Sequence, residues 1–365
     1  MTVPGTCERI LTDMSTEVRL TAFSHGAGCA CKLGPNDLST VMGMLGSATM
    51  PDEILVSADT GDDAAAWRLP DGRALIATVD VFTPILDDPY DWGRVAAANA
   101  FSDVYAMGGS PTMALNVAGW PVDDLPLELL ARVLQGGQDV ANDAGAAVVG
   151  GHTITATEPI YGMVALGFAD ADRLMRNSTA APGERLFLTK PIGTGLIATA
   201  IKRGSATPDQ AEAAVRTMTT LNAAAAGAMV EAGAAAATDV TGFGLLGHLR
   251  KMLEASGVAA RVEATLVPML PGALELARRG MASGGTRRNH AWLGPTTDWG
   301  ALTQPEQMVL ADAQTSGGML IATRHADALR TALESRGVAF AEIGVVVAGE
   351  PGRITVDGRL PDPQG

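Results

Sequence analysis

The sequence predicts an α+β or α/β chain of two domains behind a glycine-rich arm. Three observations carry that prediction. Apolar runs with strand character alternate with helical stretches between residues 55 and 170. A run of small polar residues around Pro182-Gly183, RNSTAAPGERLF, interrupts the pattern at 176–187. A second series of strand and helix patterns follows it. A length of 365 residues at 47 % hydrophobic composition exceeds what one core usually organises.

Taken in order, residues 1–54 are rich in Gly, Ser and Thr and show little periodicity beyond a short helical stretch near DLSTVMGML, so a mobile arm is expected. Residues 55–172 hold the strand-like runs EILVSAD (which overlaps the end of the arm), ALIATVDVF, TMALNVAGW and PIYGMVALGF. Between them lie the helical stretches DWGRVAAANAFSDVYAMG and LPLELLARVLQGGQDVANDAG, ended by Gly108-Gly109 and Gly145. Residues 183–350 start with the strand RLFLTKP. Helices are expected near 209–233, 242–256, 271–280 and 325–336, and strands near 319–323 and 340–348. The alanine-rich stretch 222–237 reads as one packed helix.

Composition excludes several functions. A net charge of −14 with no basic stripe argues against nucleic-acid binding. No 18-residue apolar run exists, so no membrane span is expected. MTVPGTCERILTDM lacks a basic segment followed by an apolar one, so no secretory signal is expected, and Met14 is a second candidate start. Three cysteines, Cys7, Cys29 and Cys31, make no disulfide framework, which favours a reducing cytoplasm.

Two patterns carry chemistry. HGAGCACK gathers His25, Cys29, Cys31 and Lys32 into residues 25–32. Acidic residues also recur at the ends of apolar runs: Asp62 and Asp63 in SADTGDD, Asp80 in ATVD, and Asp239 in AAAATD. Asp103 sits inside a helical stretch, four residues after Asn99 and on the same face. Carboxylates beside glycines at strand ends suit Mg²⁺ and phosphate oxygens. Each alone is more often a turn former or helix cap, and spacing leaves both readings open. Gly150, Gly151 and His152 in VVGGHT, and Gly242 and Gly244 in TDVTGFGLLGHL, are candidate anion-binding turns, with a plain tight turn as the other reading. Neither has the P-loop or dinucleotide glycine spacing.

HGAGCACK, GDDAA, NAFSDVYAMGG, VGGHT, TDVTGFGLLGH, GGTRRN and DAQTSGG occur in the order seen in selenophosphate synthetase (selenide, water dikinase), in the superfamily of aminoimidazole ribonucleotide synthetase. The chain resembles that family from about residue 19 to 348, and HGAGCxCK is its most specific mark. The resemblance implies an α+β, two-domain ATP-binding fold. Its N-terminal mixed-sheet domain dimerises, and an α/β domain follows. It implies ATP + selenide + water → selenophosphate + AMP + phosphate, serving selenocysteine or tRNA selenouridine synthesis. The γ-phosphoryl goes to selenium and the retained ADP is then hydrolysed. Mg²⁺ is needed and K⁺ commonly required. The implied partners are ATP, selenide, a second copy of the chain and a selenium-delivery protein.

Carried over by position, Cys29 matches the catalytic cysteine and Lys32 the essential lysine, which also meets ATP. Asp63, Asp103 and Asp239 match the metal ligands, Asp103 serving the nucleotide too. Thr60, Asp62, Asp80, Gly150, Gly151 and His152 match nucleotide-contacting positions. Gly61, within that loop, stands where some bacterial members have Arg. Lys32, three residues after Cys29, favours the thiolate form. Cys31 is read as an accessory thiol. His248 is read as packing or capping. Rival readings are another ATP-dependent member of the superfamily, against which the Cys/Lys arm argues, and a non-enzymatic selenium or metal carrier.

Overall fold

A computed structural model describes residues 18–24, 40–41, 43–44, 50–57 and 62–361. Cys7, Met14, His25, Cys29, Cys31, Lys32, Thr60 and Gly61, with most of the expected arm, lie outside the described residues.

The first half is a six-stranded sheet ordered β1-β2-β3-β6-β4-β5. Its strands are β1 (Ile54–Val56), β2 (Ala65–Arg68), β3 (Arg73–Phe82), β4 (Ser110–Trp120), β5 (Ala147–Thr155) and β6 (Ile160–Asp170). Only the β4–β5 pair is parallel, so the sheet is mixed. One face carries two helices, α1 (Pro89–Ala106) and α2 (Leu127–Asp143). Asp88 starts α1 by accepting the Asp91 amide at 2.9 Å, with Pro89 filling the first turn, where a missing N–H costs nothing. The two helices approach closely because both carry glycine at the crossing. A Cβ on Gly93 would lie 2.0 Å from the Val133 carbonyl oxygen, and one on Gly136 would lie 2.1 Å from that of Tyr90.

α1 is buried almost all round because it is packed on both sides. The sheet lies on one side. On the other lie α4 (Pro208–Thr219), α5 (Ala223–Glu231) and β8 (Ala236–Asp239) from the second half. That position lets polar residues of α1 reach both halves.

The second sheet has seven strands ordered β10-β13-β9-β12-β7-β11-β8. They are β7 (Arg185–Leu188), β8, β9 (Ala259–Glu263), β10 (Thr297–Asp298), β11 (Met319–Thr323), β12 (Ala341–Val347) and β13 (Ile354–Asp357). At the end next to α1, the antiparallel trio β7-β11-β8 brings three chain segments level: Leu320 lies opposite Leu188, and Met319 opposite Asp239. The remaining helices are α3 (Thr194–Lys202), α6 (Gly244–Ser256), α7 (Ala273–Arg278), α8 (Gly284–Leu293), α9 (Gln304–Leu310) and α10 (Ala326–Ser335).

Buried polar side chains knot three motifs together behind this trio. Asp312 accepts the Gly195 and Leu196 amides of α3 at 3.0 and 3.1 Å and the Thr286 hydroxyl at 2.9 Å. Asn289 donates to the carbonyls of Gly242 and Ala311 at 2.9 and 3.2 Å. GGTRRN, DAQTSGG and TDVTGFG are thus one structural unit.

Three expectations need correction. The alanine-rich stretch 222–237 is not one helix: α5 ends at Glu231, Gly233 takes φ 63°, and β8 begins at Ala236. The helix expected over 209–233 is broken at Thr220, whose φ −70° and ψ 121° are extended. Gly150, Gly151 and His152 form no turn. They lie within β5, paired in parallel with β4. Gly151 is needed there for close approach, since a Cβ would meet the Asn116 carbonyl oxygen at 2.2 Å. β2, α3, α8, α9, β9, β10 and β13 are elements beyond those expected from the sequence.

Candidate active site

Three of these elements end around one pocket of about 190 Å³ at the seam of the two halves. Among the described residues its walls include Asp62, Asp63, Thr78, Asp80 and Asp103 from the first half, and Thr238, Thr241, Phe243, His248 and Lys251 from the second.

Each acid is held by a specific partner. On β3, side chains alternate across the sheet, and Thr78 and Asp80 turn toward α1. The Thr78 hydroxyl donates to Asp103 at 2.6 Å, and the Asn99 amide donates to Asp80 at 2.5 Å. Asn99 and Asp103 are one helical turn apart, so α1 presents both to the same strand. Asn99 in turn accepts the Ser316 amide at 2.7 Å. Asp62 accepts the Asn177 amide at 2.7 Å, from the segment joining the halves. Asp63 accepts the Thr238 hydroxyl at 2.7 Å.

The electrostatics are unfavourable for an anion. Asp63 is half-buried as a residue, yet its carboxyl is enclosed. Burial, then the charge of Asp239, hold its pKa well above the ordinary carboxylate value, against the Thr238 hydrogen bond and the Lys251 charge. Asp239, at the end of β8, is 1 % exposed. Lys251 lies with its Nζ 4.3 Å from the Phe243 ring centroid.

His248 proves to be a cap. Its Nε2 accepts the Thr241 amide at 3.1 Å and the Phe243 amide at 3.4 Å, so these N–H groups at the start of α6 are satisfied from within. An imidazole whose Nε2 accepts carries its proton on Nδ1 when neutral. Nδ1 lies 3.5 Å from the Thr238 hydroxyl, which holds Asp63.

The structure therefore brings together Asp62, Asp63, Asp80 and Asp103, with Asp239 close enough to act on Asp63. It does not bring Gly150, Gly151 and His152 to the pocket within one chain, because β5 is the far edge of the first sheet. Sequence reasoning missed Thr78, Thr238 and Lys190. The threonines carry no motif of their own; each stands beside or near a strand-end aspartate. Lys190, 7 % exposed, had the signal of a charged residue ending the apolar run RLFLT.

The donor set is entirely hard oxygen, the chemistry Mg²⁺ prefers. Among the described residues no group of three or more His, Cys, Asp or Glu side chains forms a ready metal cage. No helix among them is long and apolar enough to cross a membrane.

Comparison with known proteins agrees with this architecture. Residues 61–169 match the family model AIR synthase related protein, N-terminal domain, and residues 181–357 match its C-terminal counterpart. The chain is 44 % identical to the selenide, water dikinase of Bordetella bronchiseptica over 94 % of this chain and 100 % of that one. It is 42 % identical to that of Photorhabdus laumondii over 94 % and 99 %. Among solved structures, AaThiL complexed with AMPPCP and TMP superposes with a TM-score of 0.64 at 20 % identity, covering 91 % of this chain and 96 % of that one. Hydrogenase maturation protein HypE in complex with ATP gives 0.60 at 19 % identity, over 87 % and 86 %. At such identities these two likenesses show the fold.

The raised Asp63 pKa makes a prediction with a definite sign. A carboxyl held more tightly protonated in the folded state contributes stability that is present below its unfolded pKa and lost as pH rises through the folded one. In metal-free protein, Asp63→Asn is expected to raise the thermal midpoint at pH 8, with the gain fading toward pH 4. The same variant should lower turnover by about 10²–10³-fold, the scale of losing one charge-stabilising group. A midpoint difference independent of pH contradicts the assignment.

Proposed function

Since the chain belongs to the selenide, water dikinases of the AIR synthase related family, we propose that the pocket at the seam is where ATP is held for phosphoryl transfer to selenide. The activity is that of its family: ATP, selenide and water give selenophosphate, AMP and phosphate. The observation that carries the placement is the convergence of Asp62, Asp63, Asp80 and Asp103 from separate segments, beside Asp239.

Crowded carboxylates would exclude a polyphosphate unless their charge were offset. Mg²⁺ held by Asp63, Asp103 and Asp239 would supply that offset and orient the phosphate oxygens. The chain's own residues do the rest. Thr78 and Thr238 aim the Asp103 and Asp63 carboxylates, and Asn99 aims Asp80 at the nucleotide. Thr60, Gly61 and Asp62 would contact the nucleotide, Asp62 from the wall of the pocket. Lys32 would add positive charge at the phosphates, and Cys29 would hold selenium as the nucleophile. K⁺ is a further cation of the reaction. The location proposed is the cytoplasm, on the cysteine count of the sequence.

A second copy of the chain completes this reading. Val79 and Met113 alternate with the buried Asp80 and Ala114, so they project from the sheet face opposite α1 and α2, 61 % and 37 % exposed. On the edge strand β5, Val149 and Ile154 are 56 % and 57 % exposed. An apolar sheet face of this kind is a docking surface. Pairing through it would let Gly150, Gly151 and His152 serve a nucleotide bound in the partner.

Three outcomes test the proposal. With ATP, Mg²⁺ and selenide, phosphorus NMR should show selenophosphate, with AMP and phosphate in equal amounts and all loss of ATP stopped by EDTA. ADP as the sole final nucleotide would overturn it. Cys29→Ser should reduce selenophosphate formation at least tenfold, and full activity with both free and protein-delivered selenium removes the role of Cys29. Val149→Asp should shift the chain from dimer to monomer in sedimentation velocity; a wild-type monomer rules out the pairing.

A further inference from the structure

The mechanism above makes no use of a buried cation a short way behind the pocket. Lys190 follows β7, and its Nζ donates to two main-chain carbonyls, Thr220 at 2.6 Å and Ser316 at 2.9 Å. Burial pulls its pKa down to about 7, with the Asp239 charge pushing it back up. Enclosing an ammonium is unfavourable unless dipoles or an opposite charge answer it. An apolar side chain would fill this place more cheaply, so what the ammonium holds is informative.

It holds one end of a strained residue. Ser316 has φ 48°, among the described residues the one non-glycine position with positive φ. Such a conformation is unfavourable and persists where its surroundings impose it. Here they act on both sides of Ser316. Its carbonyl accepts from Lys190, and its amide donates to Asn99 Oδ1 at 2.7 Å. Receiving that donor on Oδ1 fixes which way the Asn99 carboxamide faces, so its Nδ2 points at Asp80, 2.5 Å away. Asn222 braces the same turn, donating to Ser102 of α1 and to the Gly317 carbonyl, each at 2.8 Å. Gly318 leaves room for the clamp, since a Cβ there would lie 2.4 Å from the Lys190 amide nitrogen.

We propose that Lys190 is a positioning residue of the nucleotide site: by holding the Ser316 carbonyl it keeps the Ser316 amide on Asn99, and through Asn99 it sets the direction of the Asp80 carboxylate. The route crosses from the second half of the chain to the first and touches neither the phosphates nor the selenium. It rests on the reading of Asp80 as a nucleotide contact.

The test is a double-variant cycle on the full-length enzyme. Lys190→Met should raise KM for ATP about tenfold while kcat moves less than threefold. Calorimetry should show AMPPCP with Mg²⁺ bound about tenfold more weakly. Asn99→Ala should give the same split, and the double variant should be no worse than either single one, because both cut the same route. An unchanged KM in Lys190→Met, a loss confined to kcat, or effects that multiply in the double variant would each overturn the proposal, the last marking a general structural tie. Asp80→Asn separates the two levels. If it leaves KM unchanged, the reading of Asp80 falls; if it raises KM and Lys190→Met does not, the role of Lys190 alone falls. Should Lys190→Met not be recovered folded, Lys190→Gln, which keeps a donor but no charge, carries the same comparison.

Discussion

The repulsion between Asp63 and Asp239 is the constraint around which the seam is organised. One comes from the loop before β2, the other from the end of β8, and they meet with their charges unscreened by bulk water. Left alone, such a pair keeps a proton. A cation changes the preferred state of the whole pocket, because the same enclosure that penalises two carboxylates strengthens their attraction to a divalent ion. The hydrogen bond from Thr238, and the positive charges of Lys251 and Lys190 set around the pair, moderate the cost without removing it. With a net charge of −14, a polyphosphate would meet these acids only with a cation between them.

That meeting depends on topology. α1 would be an ordinary amphipathic helix if one sheet covered it. Because the second half also packs on it, Asn99 and Ser102 are wholly buried and must find polar partners. Asn99 finds Asp80 and the Ser316 amide, and Ser102 finds Asn222. The register of β7, β11 and β8 then sets Lys190, the 315–318 turn and Asp239 side by side. Polar residues of the seam thus tie the halves together and orient the acids in the same contacts.

How much of this was legible in the sequence follows from which interactions are local. β3 could be read because its burial nearly alternates with the pleat, and β4, β6, β11 and α1 because they are apolar runs bounded by turn residues. The acids could be read because carboxylates ending apolar runs are costly wherever a core begins. Asn99 and Asp103 sharing a face was a matter of helical geometry alone. Gly150–His152 misled, because a glycine pair admits a turn and a strand equally, and only the crowding of Gly151 against Asn116 decides for the strand. The division of 222–237 turned on Gly233, one residue among many alanines. Lys190 and Ser316 are 126 positions apart. A contact of that separation leaves no periodic trace, and each residue alone looks like a strand-end lysine and a turn serine.

The ThiL and HypE structures share this fold at 19–20 % identity, and a fold by itself does not choose the chemistry done on it. A fold of this kind supplies a place where acids and cations can face a polyphosphate. What the acceptor must be is decided by whichever group is delivered in line with it. In this chain the soft nucleophile Cys29 and the cation Lys32 stand three residues apart on a glycine-rich segment, outside both sheets in sequence. Selenium is soft and polarisable, as a thiolate is, whereas the polar side chains lining the pocket offer hard oxygen or nitrogen. The separation is chemically sensible. Hard ligands that must hold one geometry sit on strands and a buried helix, and the soft thiol lies outside those elements in sequence.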